Sequence, residues 1–215
     1  MCYSKDLSLL SFIFGITSGI LLIKFGNIEN YNTNKAIASF FIFVSLMQFI
    51  EYLMWSDLKC DNGLNKISSY FGPILNHLQP IMLLVVCFTY LRSNHIISDK
   101  LLIFTNLTFF IYTAYKYINY IKAPENLCTK TNEEGHLSWN WINDFNYNFY
   151  HILVFINLIN YSSNKNLVTS MVISYIMFII SYYKFNKNIG EFWCLMVTGV
   201  PLVNLGMQKI FHINN

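Results

Sequence analysis

Two histidines and two carboxylates, His77, His151, Glu51 and Glu191, stand out in a chain of which charged residues make up only 12%. Histidine nitrogen and carboxylate oxygen are the donors of a catalytic zinc site, which keeps one position open for an activated water. The same groups can move protons or bind a small solute in a membrane pocket. Amides and aromatics surround them in the sequence: Gln48 and Trp55 beside Glu51, Asn76 and Gln79 beside His77, Asn148 one turn before His151, and Trp193 with Cys194 just after Glu191. Neither HExxH nor any other close ligand spacing joins the histidines, so no motif signals a metal. A third reading is structural: amides bond across helices as packing glue, and Glu191 caps a helix at the positive end of its dipole.

What positions these groups follows from hydropathy. Hydrophobic residues make up 54% of the 215, where soluble domains carry roughly 25% charged residues to coat their surface. A hydrocarbon core demands about twenty apolar residues in helical form, because backbone groups find no water there. Seven stretches meet that demand: Leu7 to Ile23, Ala36 to Trp55, Pro73 to Leu91, Leu101 to Tyr120, Phe145 to Tyr161, Leu167 to Tyr183 and Phe192 to Phe211. The expectation is an all-α polytopic bundle, one transmembrane domain over residues 1–215, with the first run retained as a helix rather than cleaved as a signal peptide. Trp55, Trp139, Trp141 and Trp193 fall near the ends of runs, at headgroup level. The fifth run opens on Phe145, Asn146, Tyr147 and Asn148, a polar turn that leaves six spans as the alternative.

Alternating helices put the N-terminus and the second, fourth and sixth connections on one face, side A, and the C-terminus on side B. The ends of the second, third, fifth and seventh helices then meet near side A. At 1.5 Å per residue, Gln48, Glu51, Asn76, His77, Gln79, Asn148, His151, Glu191 and Trp193 share one depth, a candidate pocket. His77, His151, Glu51 and Glu191 are its candidate metal ligands. Lysines and Arg92 divide eight to six between side A and side B, which leaves orientation open. Most acids fall on side A, which tilts that face outward and the C-terminus toward the cytoplasm.

Cys60 and Cys128 also lie on side A, where an oxidising compartment could join them; two free thiols are the simpler reading. The basic residues are scattered, without the stripe that tracks a phosphate backbone, so the bilayer and not nucleic acid is the expected partner. Gly15 and Gly19 form GxxxG in the first helix, suited either to close packing or to self-association. Pro80 and Pro201 mark expected bends. No cofactor is implied, and the balance leans away from an enzyme.

The segments Met47 to Trp55 (MQFIEYLMW) with Asn65, Asn76 to Pro80 (NHLQP) and Gly190 to Cys194 (GEFWC) resemble a pattern in multi-pass membrane proteins of large DNA viruses and algae. That group has no assigned activity, so the resemblance implies a seven-helix fold and no catalytic role. Ceramidase-like and progestin-receptor-like membrane hydrolases also have seven helices and a zinc site near one face. The histidine pair on their last helix is missing here.

Overall fold

The computed structural model describes residues 4–133, 135–142, 145, 147–185 and 189–211; the side chains of 185, 189–192 and 211 lie outside that description. Among these residues the protein is helical apart from one small hairpin. The order is α1 (Lys5–Phe25), a 3-10 turn at Ile28–Asn30 leading into α2 (Tyr31–Trp55), α3 (Leu64–His77), α4 (Gln79–Tyr90) and α5 (Asp99–Ile121). There follow a 3-10 turn at Pro124–Leu127, β1 (Lys130–Thr131) paired antiparallel with β2 (Leu137–Ser138), α6 (Tyr147–Ile159), α7 (Lys165–Phe185), α8 (Ile189–Val197) and α9 (Val200–Phe211).

The packing is inverted relative to a water-soluble bundle. α1 buries Ser8, Ser11, Gly15, Ser18 and Gly19 and exposes Leu10, Ile13, Phe14 and Ile20. α3 buries Asn65, Ser68, Ser69, Asn76 and His77 and exposes Leu64, Ile67 and Phe71. Such helices are stable only where the surroundings are as apolar as their outer faces and polar groups find partners inside. The middle of the bundle is α2, which packs against α1, α3, α4, α7, α8 and α9. Of its apolar span 61% is buried, against 33% for α1 and α7 and 22% for α5.

Four helical stretches are long and apolar enough to cross a membrane: α1, Ile28–Trp55, α5 and α7. α3 and α4, bent by 54° at their junction, make a fifth if they form one span. The expected count of seven is thus met only to four or five on length and composition. The remaining runs are shorter or broken. α6 has 13 residues, about 20 Å against a hydrocarbon core of roughly 30 Å. The expected seventh run divides into α8 and α9, with the break at Thr198 and Gly199 just before Pro201. The expected third run starts at Leu64 rather than Pro73, because α3 turns its polar face inward and so has a low mean hydropathy despite lying in the bundle.

At each break a neighbouring helix bonds to the backbone. Proline supplies no N–H to the helical ladder, and the chain around Pro80 and Pro201 is tied down by side chains from neighbouring helices. Asn157 Nδ2 donates to the Pro80 carbonyl at 2.8 Å while exchanging two amide bonds with Asn106 of α5. Ser18 of α1 donates to the Thr198 carbonyl at 2.7 Å.

The connections at each end are bonded to one another. At one end, Gln208 of α9 donates to Asn34 and to Asn204, each at 2.7 Å, and accepts from the Asn27 N–H. Asn204 continues to Ser170 of α7, Asn164 reaches Thr33, and Asn160 bonds both ways with Ile97. At the other end the connections 56–63 and 122–146 are joined by a Cys60–Cys128 disulfide, so these two thiols are paired rather than free. Beside it, Asn65 donates to the Thr129 carbonyl and accepts the Thr129 N–H, both at 2.8 Å. Trp141 covers Gly72 so closely that a Cβ there would come within 2.5 Å of the indole. Asp57 anchors the loop before α3: partial burial pushes its carboxyl up, but backbone N–H bonds from Asn62, Asn65, Asp61 and Leu64 outweigh this and hold it below its ordinary value.

Gly15 and Gly19 are spent inside the chain. A Cβ at Gly15 would run into the Ser45 side chain and one at Gly19 would come 2.8 Å from Ile42, both on α2. The expected self-association through this motif would need another face.

The packing and the cap give three predictions. Gly15→Val should lower stability by roughly 1–3 kcal/mol, read as a lower unfolding temperature in detergent, whereas Gly206→Ala, where a Cβ meets nothing within 4 Å, should leave it unchanged. An unchanged Gly15→Val would show that α1 does not sit this close to α2. For the cap, maleimide labelling of protein unfolded without reductant should count two thiols fewer than after reduction. Because the Asp57 carboxyl is held low, its stabilising contribution is present at neutral pH and is lost as pH falls through its folded value. A phosphine reductant should therefore open the disulfide faster in Asp57→Asn than in the parent at neutral pH, with the two rates converging on strong acidification, and equal rates at neutral pH would remove Asp57 from the account.

Candidate functional site

The structure divides the predicted pocket residues into an inner set and a cavity wall. Gln48, Glu51, His77 and Gln79 form the inner set, each with at most 1% of its surface exposed. On α2, Gln48 Nε2 donates to Glu51 Oε2 at 2.7 Å across one helical turn. His77 and Gln79 flank the α3–α4 bend. His77 Nδ1 lies 2.9 Å from the Pro73 carbonyl; a carbonyl only accepts, so the proton there belongs to Nδ1. The His77 ring stacks on Phe145 at 3.9 Å between centroids. Gln79 Oε1 accepts the Tyr150 hydroxyl at 2.6 Å.

The other predicted residues, Asn76, Asn148, His151 and Trp193, line a cavity of about 390 Å³. It lies over Phe40 of α2, between α6 and α7, with Trp193 of α8 and Ile142 of the fourth connection at its edges. α6 packs against α4 and α5, and α7 against α2, α8 and α9, so side chains bridge the space between them. His151 Nδ1 is 3.4 Å from the Tyr175 hydroxyl, Phe155 stacks on Tyr175 at 4.9 Å, and His151 meets Phe178 edge-on. Trp193 closes the wall by donating its indole N–H to the Ser174 carbonyl at 2.9 Å.

Tyr150 is the partition between the two sets. Its ring lines the cavity, and its hydroxyl bonds to Gln79 on the inner side. Sequence reasoning passed over it, together with Tyr147, Tyr175, Phe178 and Tyr182. The signal was available: Tyr147, Tyr150 and Val154 recur at three and four, as do Met171, Ser174, Tyr175, Phe178 and Tyr182, two stripes at helical spacing.

The backbone of Glu191 lies in the first turn of α8, and its side chain lies outside the described residues. Among the described residues no group of three or more His, Cys, Asp or Glu is placed to hold a metal ion. His77 and His151 lie either side of the partition, in ring contact with Tyr150 at 6.4 and 5.1 Å between centroids. No protein-family model, curated protein or solved structure matches this chain.

If Tyr150 joins the two sets as described, Tyr150→Phe removes the hydroxyl that Gln79 accepts while keeping the ring. A buried amide oxygen without its donor costs roughly 1–3 kcal/mol. The variant should unfold at a lower temperature, and combining it with Gln79→Leu should recover part of the loss. A double-variant loss equal to the sum of the two single-variant losses would show that the two side chains are not coupled.

Proposed function

We propose that this protein is a multi-pass membrane protein of seven helical passes that binds a small molecule in the cavity between α6 and α7. The cavity itself carries the reading: about 390 Å³ falls within the size of small-ligand pockets, and a mainly apolar wall with a few polar groups is their usual construction. The passes rest on the connections. Residues of the first, third and fifth connections bond with one another or with α9, while the second and fourth are joined by the disulfide. Short α6, bent α3–α4 and broken α8–α9 then complete the alternation as passes that protein, and not lipid alone, surrounds. Side A faces an oxidising compartment and the C-terminus the cytoplasm, since a disulfide persists only on the oxidising side.

Two measurements test this. A glycosylation acceptor placed in residues 56–63 should be modified, and one in residues 92–98 should not; modification of both would end the seven-pass arrangement. Val154→Trp should fill the cavity. Native mass spectrometry should find a small-molecule adduct on the parent protein that is missing from the variant, and the same adduct on both would place binding elsewhere.

A further inference from the structure

The chemistry of the cavity wall narrows what it takes. Tyr147, Tyr150, Tyr175, Phe178, Tyr182 and Trp193 supply aromatic surface, while no Lys, Arg, Asp or Glu stands among the described lining residues. An anionic group would be left without the charged donors it requires. Several polar atoms of the wall are already engaged within the protein: Asn76 Nδ2 with the Tyr147 hydroxyl at 3.2 Å, the Tyr150 hydroxyl with Gln79 of the inner set, the Trp193 N–H with the Ser174 carbonyl and the Tyr175 hydroxyl with His151. A sugar or a primary ammonium, each needing several hydrogen bonds, finds few to make. A purely apolar chain gains little by leaving lipid tails that are equally apolar.

What the rings still offer is π surface, which attracts a cation that has no N–H to satisfy. Tyr147 and Asn148 stand in the first turn of α6, Tyr182 near the end of α7, and Ile142 in the connection beside the disulfide-pinned cap, so one end of the cavity lies toward side A, while Phe40, Val154 and Met171 line it deeper in the bundle. We infer that the cavity takes a quaternary ammonium group between the aromatic side chains of α6, α7 and α8, delivered by a phospholipid headgroup or by a free choline-type solute. This rests on the reading of the cavity as a ligand site.

The full chain, purified into nanodiscs, tests it. The mixture would hold phosphatidylcholine, phosphatidylethanolamine and phosphatidylglycerol of identical acyl chains, with retained lipid measured by mass spectrometry. Direct binding of radiolabelled choline would be measured in detergent, with tetramethylammonium chloride as competitor and sodium chloride as the ionic-strength control. Enrichment of phosphatidylcholine supports the lipid source, and choline binding displaced by tetramethylammonium without lipid enrichment supports the free solute. In either case Tyr175→Leu and Trp193→Leu should each weaken binding about tenfold, whereas Tyr175→Phe, which keeps the ring, should stay within about threefold. Retention of all three lipids alike, abolished by Val154→Trp and insensitive to tetramethylammonium, would overturn the ammonium group and leave the cavity as a ligand site. Binding of none of these probes would overturn both.

Discussion

A side chain amide in hydrocarbon has no water to turn to, and this single constraint organises the bundle. Leaving such a group unpartnered costs roughly 1–3 kcal/mol, while an interhelical hydrogen bond in a membrane contributes about 0.6 kcal/mol on average. The penalty for a wrong arrangement therefore exceeds the gain from a right one, and polar residues act mainly by excluding alternatives. Asn106 and Asn157 exchange both amide bonds, which fixes α5 against α6 in one register. Gln208 does the same for α9 against α2 through Asn34. Apolar outer faces such as Leu101, Phe104, Leu107 and Ile111 of α5, all about half exposed or more, specify no neighbour and leave the choice to these contacts.

The same constraint explains why helices can break inside the bundle. A proline in a lipid-facing helix would expose backbone groups to hydrocarbon. Pro80 and Pro201 instead sit where α6 and α1 bring Asn157 and Ser18 to neighbouring carbonyls. Ser18 can reach Thr198 only because α1 lies close to its neighbours, and α1 lies close because Gly15 and Gly19 put no Cβ in the way. Small residues in one helix and a break in another are parts of one local solution.

The sequence showed what averages over a helix can show. Runs rich in apolar residues marked α1, α2, α5 and α7, since each has a long apolar face and few charges. α3 escaped because Asn65, Ser68 and Ser69 lower its mean hydropathy, although they point inward; a lookup by composition cannot distinguish a polar face turned to water from one turned to protein. Alternation and rise per residue led to the expectation that Asn76, His77, His151 and Trp193 share one depth. They do not fix rotation about each helix axis, and so the inner set and the cavity wall were read as one pocket. The partition depends on Tyr150, whose ring and hydroxyl serve different sides, and no spacing rule assigns a residue to two environments.

The position of the cavity follows from where the amide contacts pull. Asn157 draws α6 toward α4 and α5 through Pro80 and Asn106. Asn204 draws α7 toward α9 through Ser170 and the Asn166 carbonyl. These two sets of bonds tie adjacent helices to different neighbours, and the connection over residues 160–164 joins the helices at one end. Away from that connection side chains cross the space between them. Rings fill it better than aliphatic groups, because a tyrosine or tryptophan covers much area with few rotatable bonds and can fix its polar end to a neighbour. Tyr150 and Trp193 do so through Gln79 and Ser174, leaving an aromatic-walled opening between α6 and α7.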